Sequence, residues 1–385
     1  MKLSQRVSVF PQSVIREMTR IAIGHGAINL AQGFPDFPAP DAIKQSAIRA
    51  ILADDNQYAI TWGSKPLRNA IAEKVRRYNG IEAEPERDIA VTCGATEAMM
   101  ATMIALTDPG DEVIIFEPFY ENYGPDAAMS GAKPIFVSLR PPDYTWDFDE
   151  LRAAFRPNVR AIILNTPNNP TGRVFGREEL QQIADLCIEH DVVAVSDEIY
   201  EHILYDGQTH VSIASLPGME GRTVTINSIS KTFSVTGWRV GYAIARPPMI
   251  EGIRKAHDFL TVGAPAPLQA AAAEALAWSP EYFDGLAADY ARRRDILLAG
   301  LQRAGFKCTV PGGAYYIMAD FSDLSAMDDT AFAMWLTEKI GVAPVPASSF
   351  FQQGSPLGKS SVRFTFCKTE DLLHRAVERL QAVRG

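Results

Sequence analysis

The sequence predicts an α/β protein: a large three-layer α/β/α domain on a mostly parallel sheet, with a smaller α+β domain beside it. Three observations carry this. Short runs rich in Val and Ile alternate with helix-period segments through the middle of the chain. Those runs are apolar at nearly every position, as in strands covered on both faces. The last third changes character, with one long helical stretch followed by shorter strands.

Taken in order, the Gly- and Pro-rich start around "AQGFPDFPAPD" (Ala31–Asp41) is expected to wrap onto the smaller domain. Arg87–Thr92 reads as a strand, Thr96–Thr107 as a helix, and Asp111–Pro118, Lys133–Leu139 and Arg160–Pro167 as further strands. In Arg177–His190, residues Leu180, Ile183, Ala184, Cys187 and Ile188 form one apolar stripe, which marks a helix. Val192–Tyr200 and Arg222–Ser228 contain the next strands. A helix from Glu281 to Ala304 carries the charge run Arg292–Asp295, expected on a solvated face. Strands around Gly312–Asp320 and Ser360–Cys367 and a helix at Thr369–Leu380 close the chain. Residues 46–280 then make the large domain, and residues 1–45 with 281–385 the small one.

The bulk numbers agree. A chain of 385 residues with 47% hydrophobic and 22% charged residues builds a large core without staples. A net charge of −9 argues against nucleic-acid binding, which needs a basic face. No run is long and apolar enough to span a membrane, and the start lacks a signal-peptide core. Cys93, Cys187, Cys308 and Cys367 are scattered, and the six histidines keep no ligand spacing. A reduced, cytoplasmic protein without a metal site is expected.

The chemistry lies at the carboxyl ends of the strands, where open α/β sheets bind ligands. Gly94, Ala95 and Thr96 follow a strand where a helix begins, a place for an anion at the helix N-terminus. Asn169 precedes Pro170, Thr171 and Gly172 in a sharp turn. Asp197 ends an apolar run and needs a cationic partner. Lys231 follows the strand that ends at Ser228, and burial there lowers an amine's pKa. Singly, these are also an ordinary turn, a plain loop, a helix cap and a surface lysine. Jointly, an anion cradle, an amide, a buried carboxylate and an amine describe the demands of a phosphorylated aromatic aldehyde, and pyridoxal phosphate meets them.

At these residues the chain resembles the class I/II aminotransferases, pyridoxal-phosphate enzymes of fold type I, within the group that includes kynurenine, methionine, aromatic and bacterial aspartate aminotransferases. The resemblance rests on "GFPDF", "QYAITWG", "NTPNNPTG", "SDEIYEH", "SISKTFSVTGWRVGY" and "VRFTF", in the family's order. It implies that Lys231 holds the cofactor covalently and moves the substrate's Cα proton. It implies that Asp197 pairs with the pyridinium nitrogen, that Tyr200 and Asn169 hydrogen-bond the ring's phenolic oxygen, and that Tyr120 stacks on the ring. Gly94, Ala95, Thr96, Ser228 and Arg239 match the phosphate cup. Arg363, with Asn169 and Gly33, matches the clamp for the substrate α-carboxylate. Tyr58 matches a tyrosine that reaches the neighbouring subunit's phosphate, so a homodimer with shared sites is expected.

The implied reaction moves the α-amino group of an amino acid to a 2-oxo acid in two half-reactions. Phe34, Tyr58, Trp62 and Tyr120 are expected to form an aromatic pocket favouring neutral, sulfur-containing or aromatic donors such as methionine, glutamine or kynurenine. Two other readings use the same residues: an aspartate-type enzyme for dicarboxylic substrates, and a C–S β-lyase. A regulator on this fold carries an added DNA-binding domain, and with "GFPDF" opening at Gly33 none is expected here.

Overall fold

The computed structural model describes residues 4–384. Along the chain the strands are β1 (Ile28–Asn29), β2 (Ile89–Thr92), β3 (Glu112–Glu117), β4 (Lys133–Ser138), β5 (Val159–Asn165), β6 (Val193–Asp197) and β7 (Thr223–Ser228). They continue with β8 (Gly241–Ile244), β9 (Lys307–Cys308), β10 (Tyr316–Asp320), β11 (Val342–Ala343), β12 (Val345–Pro346) and β13 (Ser361–Thr365). Seven form one sheet in the order β2-β8-β7-β6-β5-β3-β4. The neighbours among β3 to β7 pair in parallel, and β8 is antiparallel to both β2 and β7.

Successive side chains on a strand point to opposite faces, and here both sets are apolar. Ile114, Ile162, Leu164 and Ala194 pack on one face against Leu180, Ile183 and Cys187 of the Arg177–His190 helix. Val113, Ile115, Ala161 and Ile163 pack on the other face against Ala98 and Met99 of the Ala95–Leu106 helix. The sheet is therefore the middle of three layers. Ile188, assigned to the buried stripe, lies at the exposed rim, and Leu186 is buried instead.

A four-stranded antiparallel sheet, β12-β13-β10-β9, forms the core of the C-terminal part. β1 pairs with β11 in parallel, and the Thr365 N–H donates to the Leu30 carbonyl at 2.9 Å. The N-terminal segment thus pairs with the C-terminal part. The long helix, Pro280–Arg303, departs from expectation in one respect. Arg292 is exposed, but Arg294 is buried: it holds Asp206 at 2.5 Å and lies over the Tyr205 ring at 4.8 Å. An arginine's long apolar stem and an acidic partner together make such burial favourable.

The register of the large sheet collects the strand ends on one edge. Asn165 pairs with Asp197, Ser228 with Gly241, and Thr92 with Gly241. β8 fits between β2 and β7 there because Gly241 has no side chain. A Cβ on it would press into the backbone of Gly94 and Ala95. A second device fixes the start of the Ala95–Leu106 helix. The Glu97 carboxylate accepts from His257 Nδ1 at 2.7 Å and the Thr261 hydroxyl at 2.6 Å, and also from the Cys93 N–H. His257 Nε2 lies 2.7 Å from the Thr61 carbonyl. Both partners of the ring only accept, so both ring nitrogens donate and His257 is an imidazolium.

Two predictions follow from these contacts. Gly241→Ala lowers the unfolding free energy by about 1–3 kcal/mol in denaturant titrations, because backbone has to move to admit the methyl group. The second concerns pH. Burial opposes charge on both His257 and Glu97, but their bond and mutual attraction outweigh it, raising His257 above 6.5 and lowering Glu97 below 4.5. The histidine's contribution is complete below its unfolded pKa and is lost as pH rises through its raised folded value. The glutamate's contribution is present above its unfolded pKa and is lost as pH falls through its lowered value. Urea unfolding across pH is expected to give a stability plateau between these limits, and His257→Leu to flatten its alkaline side.

Candidate active site

One cavity of about 280 Å³ opens at the carboxyl edge of the large sheet. Lys231, Asp197, Tyr200, Tyr120, Ala95, Thr96, Asn169, Ser228, Arg239, Gly33 and Arg363 all line it. The structure thus brings together eleven expected residues drawn from distant parts of the chain. Gly94 lies just behind this wall, at φ 87°, in a region that favours glycine, and a side chain there would collide with the Arg239 guanidinium. Tyr58 is 86% exposed and does not line its own chain's cavity. Trp62 is also absent from the lining: its ring packs under Arg254 at 5.1 Å. Of the four aromatics expected around the substrate, Phe34 and Tyr120 are there.

At one end the groups suit a phosphate. The Ala95–Leu106 helix starts here with Ala95 and Thr96, where free backbone N–H groups and the helix dipole favour an anion. Arg239 donates only to the backbone carbonyls of Thr236, at 3.0 Å, and Cys93, at 3.4 Å. Among the described residues no carboxylate pairs with it within ion-pair distance. Ser228 caps the short Ile229–Thr232 helix, and the buried Ser230 hydroxyl has no partner among the described residues.

The floor is anionic. The Asp197 carboxylate accepts from the Tyr123 hydroxyl at 2.7 Å and from the Ile199 N–H at 3.3 Å. Burial raises its pKa to about 6, against the stabilising Tyr123 and Ile199 bonds and the nearby Lys231 charge. Asn165 fixes the surroundings: it donates to the Asp197 carbonyl at 3.0 Å and accepts from the Asn169 N–H at 2.7 Å.

Lys231 stands opposite, half-buried, with its amine 3.4 Å from the Gly33 carbonyl and 5.9 Å from the Tyr200 ring. Burial lowers its pKa to about 8, with the Arg239 and Arg363 charges adding to that effect and Asp197 opposing it. At pH 7 roughly a tenth of the amine is therefore neutral and nucleophilic, far more than for an ordinary lysine, and the share grows as pH rises. The Tyr200 and Tyr316 hydroxyls lie 3.0 Å apart beside it.

Arg363 sits in the middle of the small sheet and is fully buried. Its guanidinium donates to Asn169 Oδ1 at 2.8 Å and to the Ala31 carbonyl at 2.5 Å, and lies over the Tyr316 and Phe350 rings. Its Nε has no partner, and among the described residues no carboxylate pairs with it within ion-pair distance. Burying such a charge is costly unless a ligand anion completes it.

These features fit pyridoxal phosphate and an amino-acid carboxylate. The Ser230 hydroxyl and Arg239 suit one anion and Arg363 another, and Asp197 and Lys231 line the same cavity. Sequence reading missed Tyr123, Asp126, Ser230 and Tyr316, all of which line the cavity. Two had a local signal: Tyr123 follows Tyr120 by three residues in "YENY", and Ser230 lies between Ser228 and Lys231. Tyr316 is brought in from the small sheet, where nothing in the sequence marked it.

Comparison with known proteins agrees. Residues 25–380 match the family described as aminotransferase class I and II. The chain is 40% identical to the probable N-succinyldiaminopimelate aminotransferase of Mycobacterium tuberculosis, covering 98% of both chains. The solved structure of N-succinyldiaminopimelate aminotransferase from that organism superposes with a TM-score of 0.96, at 40% identity, over 99% of this chain and 100% of the other. Methionine aminotransferase of Escherichia coli is 38% identical over 96% of this chain and 95% of its own. Human kynurenine–oxoglutarate transaminase 1 is 39% identical over 95% and 94%. The chain belongs to the class I and II aminotransferases, enzymes that depend on pyridoxal phosphate to transfer amino groups between amino acids and 2-oxo acids.

Proposed function

We propose that this aminotransferase takes its amino group from an amino acid with a neutral, sulfur-containing or aromatic side chain and passes it to a 2-oxo acid by a ping-pong route. The observation that carries the reading of the site is Arg363, a buried guanidinium with Asn169 at its side and room for a carboxylate in front. A two-point contact with the substrate's α-carboxylate fixes which Cα bond faces Lys231. Arg239, Ser228, Ser230 and the Ala95–Thr96 amides would hold the cofactor's phosphate, Asp197 would pair with its ring nitrogen, Tyr120 would stack on its ring, and Tyr200 and Asn169 would hydrogen-bond its phenolic oxygen.

Pyridoxal phosphate, when bound, supplies a sink for the electrons left at Cα. The chain supplies the proton traffic. With its pKa lowered to about 8, the Lys231 amine takes the Cα proton as a base and returns it as an acid. The first 2-oxo acid leaves before the second enters, and the same groups serve both halves.

Phe34 and Tyr120 on the cavity wall support neutral and aromatic donors, and the methionine and kynurenine enzymes named above act on such substrates. The acidic-donor reading rests on Arg16, exposed in the same lining. We also propose a homodimer. Tyr58, Ile60, Phe259, Leu260 and Val262 are exposed, and the His257–Thr61 contact holds their two segments together. That surface suits a second copy, with Tyr58 reaching the partner's phosphate. The four free cysteines support a cytoplasmic location. The proposed large domain is 46–280, and the proposed small domain is 1–45 with 281–385. The Asp41–Leu52 helix crosses the first boundary and packs on the Ala266–Leu276 helix of the large domain.

Two measurements test this reading. Stopped-flow half-reactions with a panel of amino acids, following the bound cofactor's visible absorbance, are expected to rank methionine, glutamine, phenylalanine and kynurenine above aspartate. Aspartate as the fastest donor overturns the neutral-donor reading in favour of Arg16, and pyruvate released without an acceptor marks the β-lyase. Arg363→Gln is expected to lower kcat/KM by roughly 10- to 100-fold for every donor, with cofactor absorbance retained.

A further inference from the structure

The cavity contains a buried carboxyl that the account above does not use. Asp126 lies one helical turn beyond Tyr123 on the Tyr123–Ser130 helix, so the two share a face. Tyr123 reaches up to Asp197 at 2.7 Å, and Asp126 lines the same cavity. It is only 3% exposed, and its Oδ2 is buried with no hydrogen-bond partner among the described residues. An ionised carboxylate in such a place is costly, while a protonated one is tolerated.

The two aspartates are not equivalent. Asp197 has a hydroxyl and a backbone N–H donating to it, with the Lys231 charge nearby. Asp126 has only the start of its own helix to favour an anion, and Asp197 repels that anion. Among the described residues, the elements packed against its helix offer no compensating buried cation. Arg6 and Lys133 are exposed, Glu97 is held by His257, and Glu121 is held by the Ser13 hydroxyl at 2.5 Å. The Tyr120 and Tyr123 hydroxyls, pushed up chiefly by burial, stay neutral. Two neighbouring buried carboxyls with one set of donors do not both ionise.

We propose that Asp126 is a positioning residue that stays protonated beside Asp197, leaving Asp197 as the sole anion of the cavity floor and so setting the charge that faces the cofactor's ring nitrogen. The role rests on Asp197 occupying that position, as read above. Keeping Asp126 neutral prevents a second charge from pulling the proton of the pair onto Asp197, which would remove the anion that the ring nitrogen needs. Burial, with repulsion from Asp197, raises the Asp126 pKa to about 8, so the arrangement holds at neutral pH and fails in the alkaline range.

The test reads the carboxyl itself. Holoenzyme labelled with carbon-13 at the aspartate side-chain carboxyl is examined by infrared difference spectroscopy across pH. At neutral pH the wild type is expected to show the isotope-shifted C=O band of a protonated acid, fading as pH rises through about 8. Asp126→Asn is expected to lose this band, and Asp197→Asn to keep it. A wild type without the band at neutral pH overturns the proposal, and so does a band that survives in Asp126→Asn. The wild-type titration stands even if a variant does not fold. Because it follows the Asp126 proton and not turnover, failure here is separate from failure of the Asp197 assignment, which shows as a cofactor spectrum unchanged in Asp197→Asn.

Discussion

Everything in the site depends on the register of one sheet. Parallel strands β5, β6 and β7 end side by side, and antiparallel β8 begins where β2 and β7 stop. Asn165, Asp197, Ser228 and Thr92 therefore reach one edge without any loop having to carry them there. A shift of one residue in any of these strands would turn the polar end into the apolar layer and bring an apolar side chain to the edge. The continuous Val and Ile content holds that register firmly, since both faces are packed.

That rigid edge makes an uneven distribution of charge affordable. Among the described residues, Arg363 is buried without an acidic partner and Arg239 donates only to carbonyls, and Lys231 is driven toward neutrality by burial. Against them stands Asp197, held as an anion by Tyr123 and the Ile199 N–H. A ligand with two anionic ends and a protonated ring nitrogen between them completes this pattern, which is the combined form of the cofactor phosphate, its ring and an amino-acid carboxylate. The same logic explains why Asp126 cannot be a second anion. The His257–Glu97 pair belongs to the scaffold, since it ties the Thr61 segment to the start of the Ala95–Leu106 helix.

The large sheet was largely legible in the sequence because fully buried strands have no polar face to obscure them. The Arg177–His190 helix falls where its stripe placed it, and β10 and β13 lie within the expected segments. β8 was not anticipated, since four residues starting with a glycine carry no periodic signal. Arg294 illustrates a different limit: a run of charges reads as solvated, and only tertiary structure shows that Asp206 and Tyr205 take one of them in. Within the site, residues with distinctive chemistry at strand ends could be found one by one. Asp126 could not, because an aspartate on a short helix is common, and the spacing of Tyr123 from Tyr120 did not show that the fold aims its hydroxyl at Asp197. Tyr58 and Trp62 were placed at the pocket from their aromatic character, but Tyr58 stands exposed and Trp62 packs under Arg254.

The central claim is that the Lys231 amine, at the edge between Asp197 and Arg363, is the group that bonds to the cofactor. The most direct measurement is borohydride reduction of the cofactor-loaded protein followed by peptide mass spectrometry. The account predicts a single reduced adduct on the peptide containing Lys231, absent from Lys231→Ala. An adduct on another lysine, or none on a protein that carries the cofactor and transfers amino groups, would contradict it.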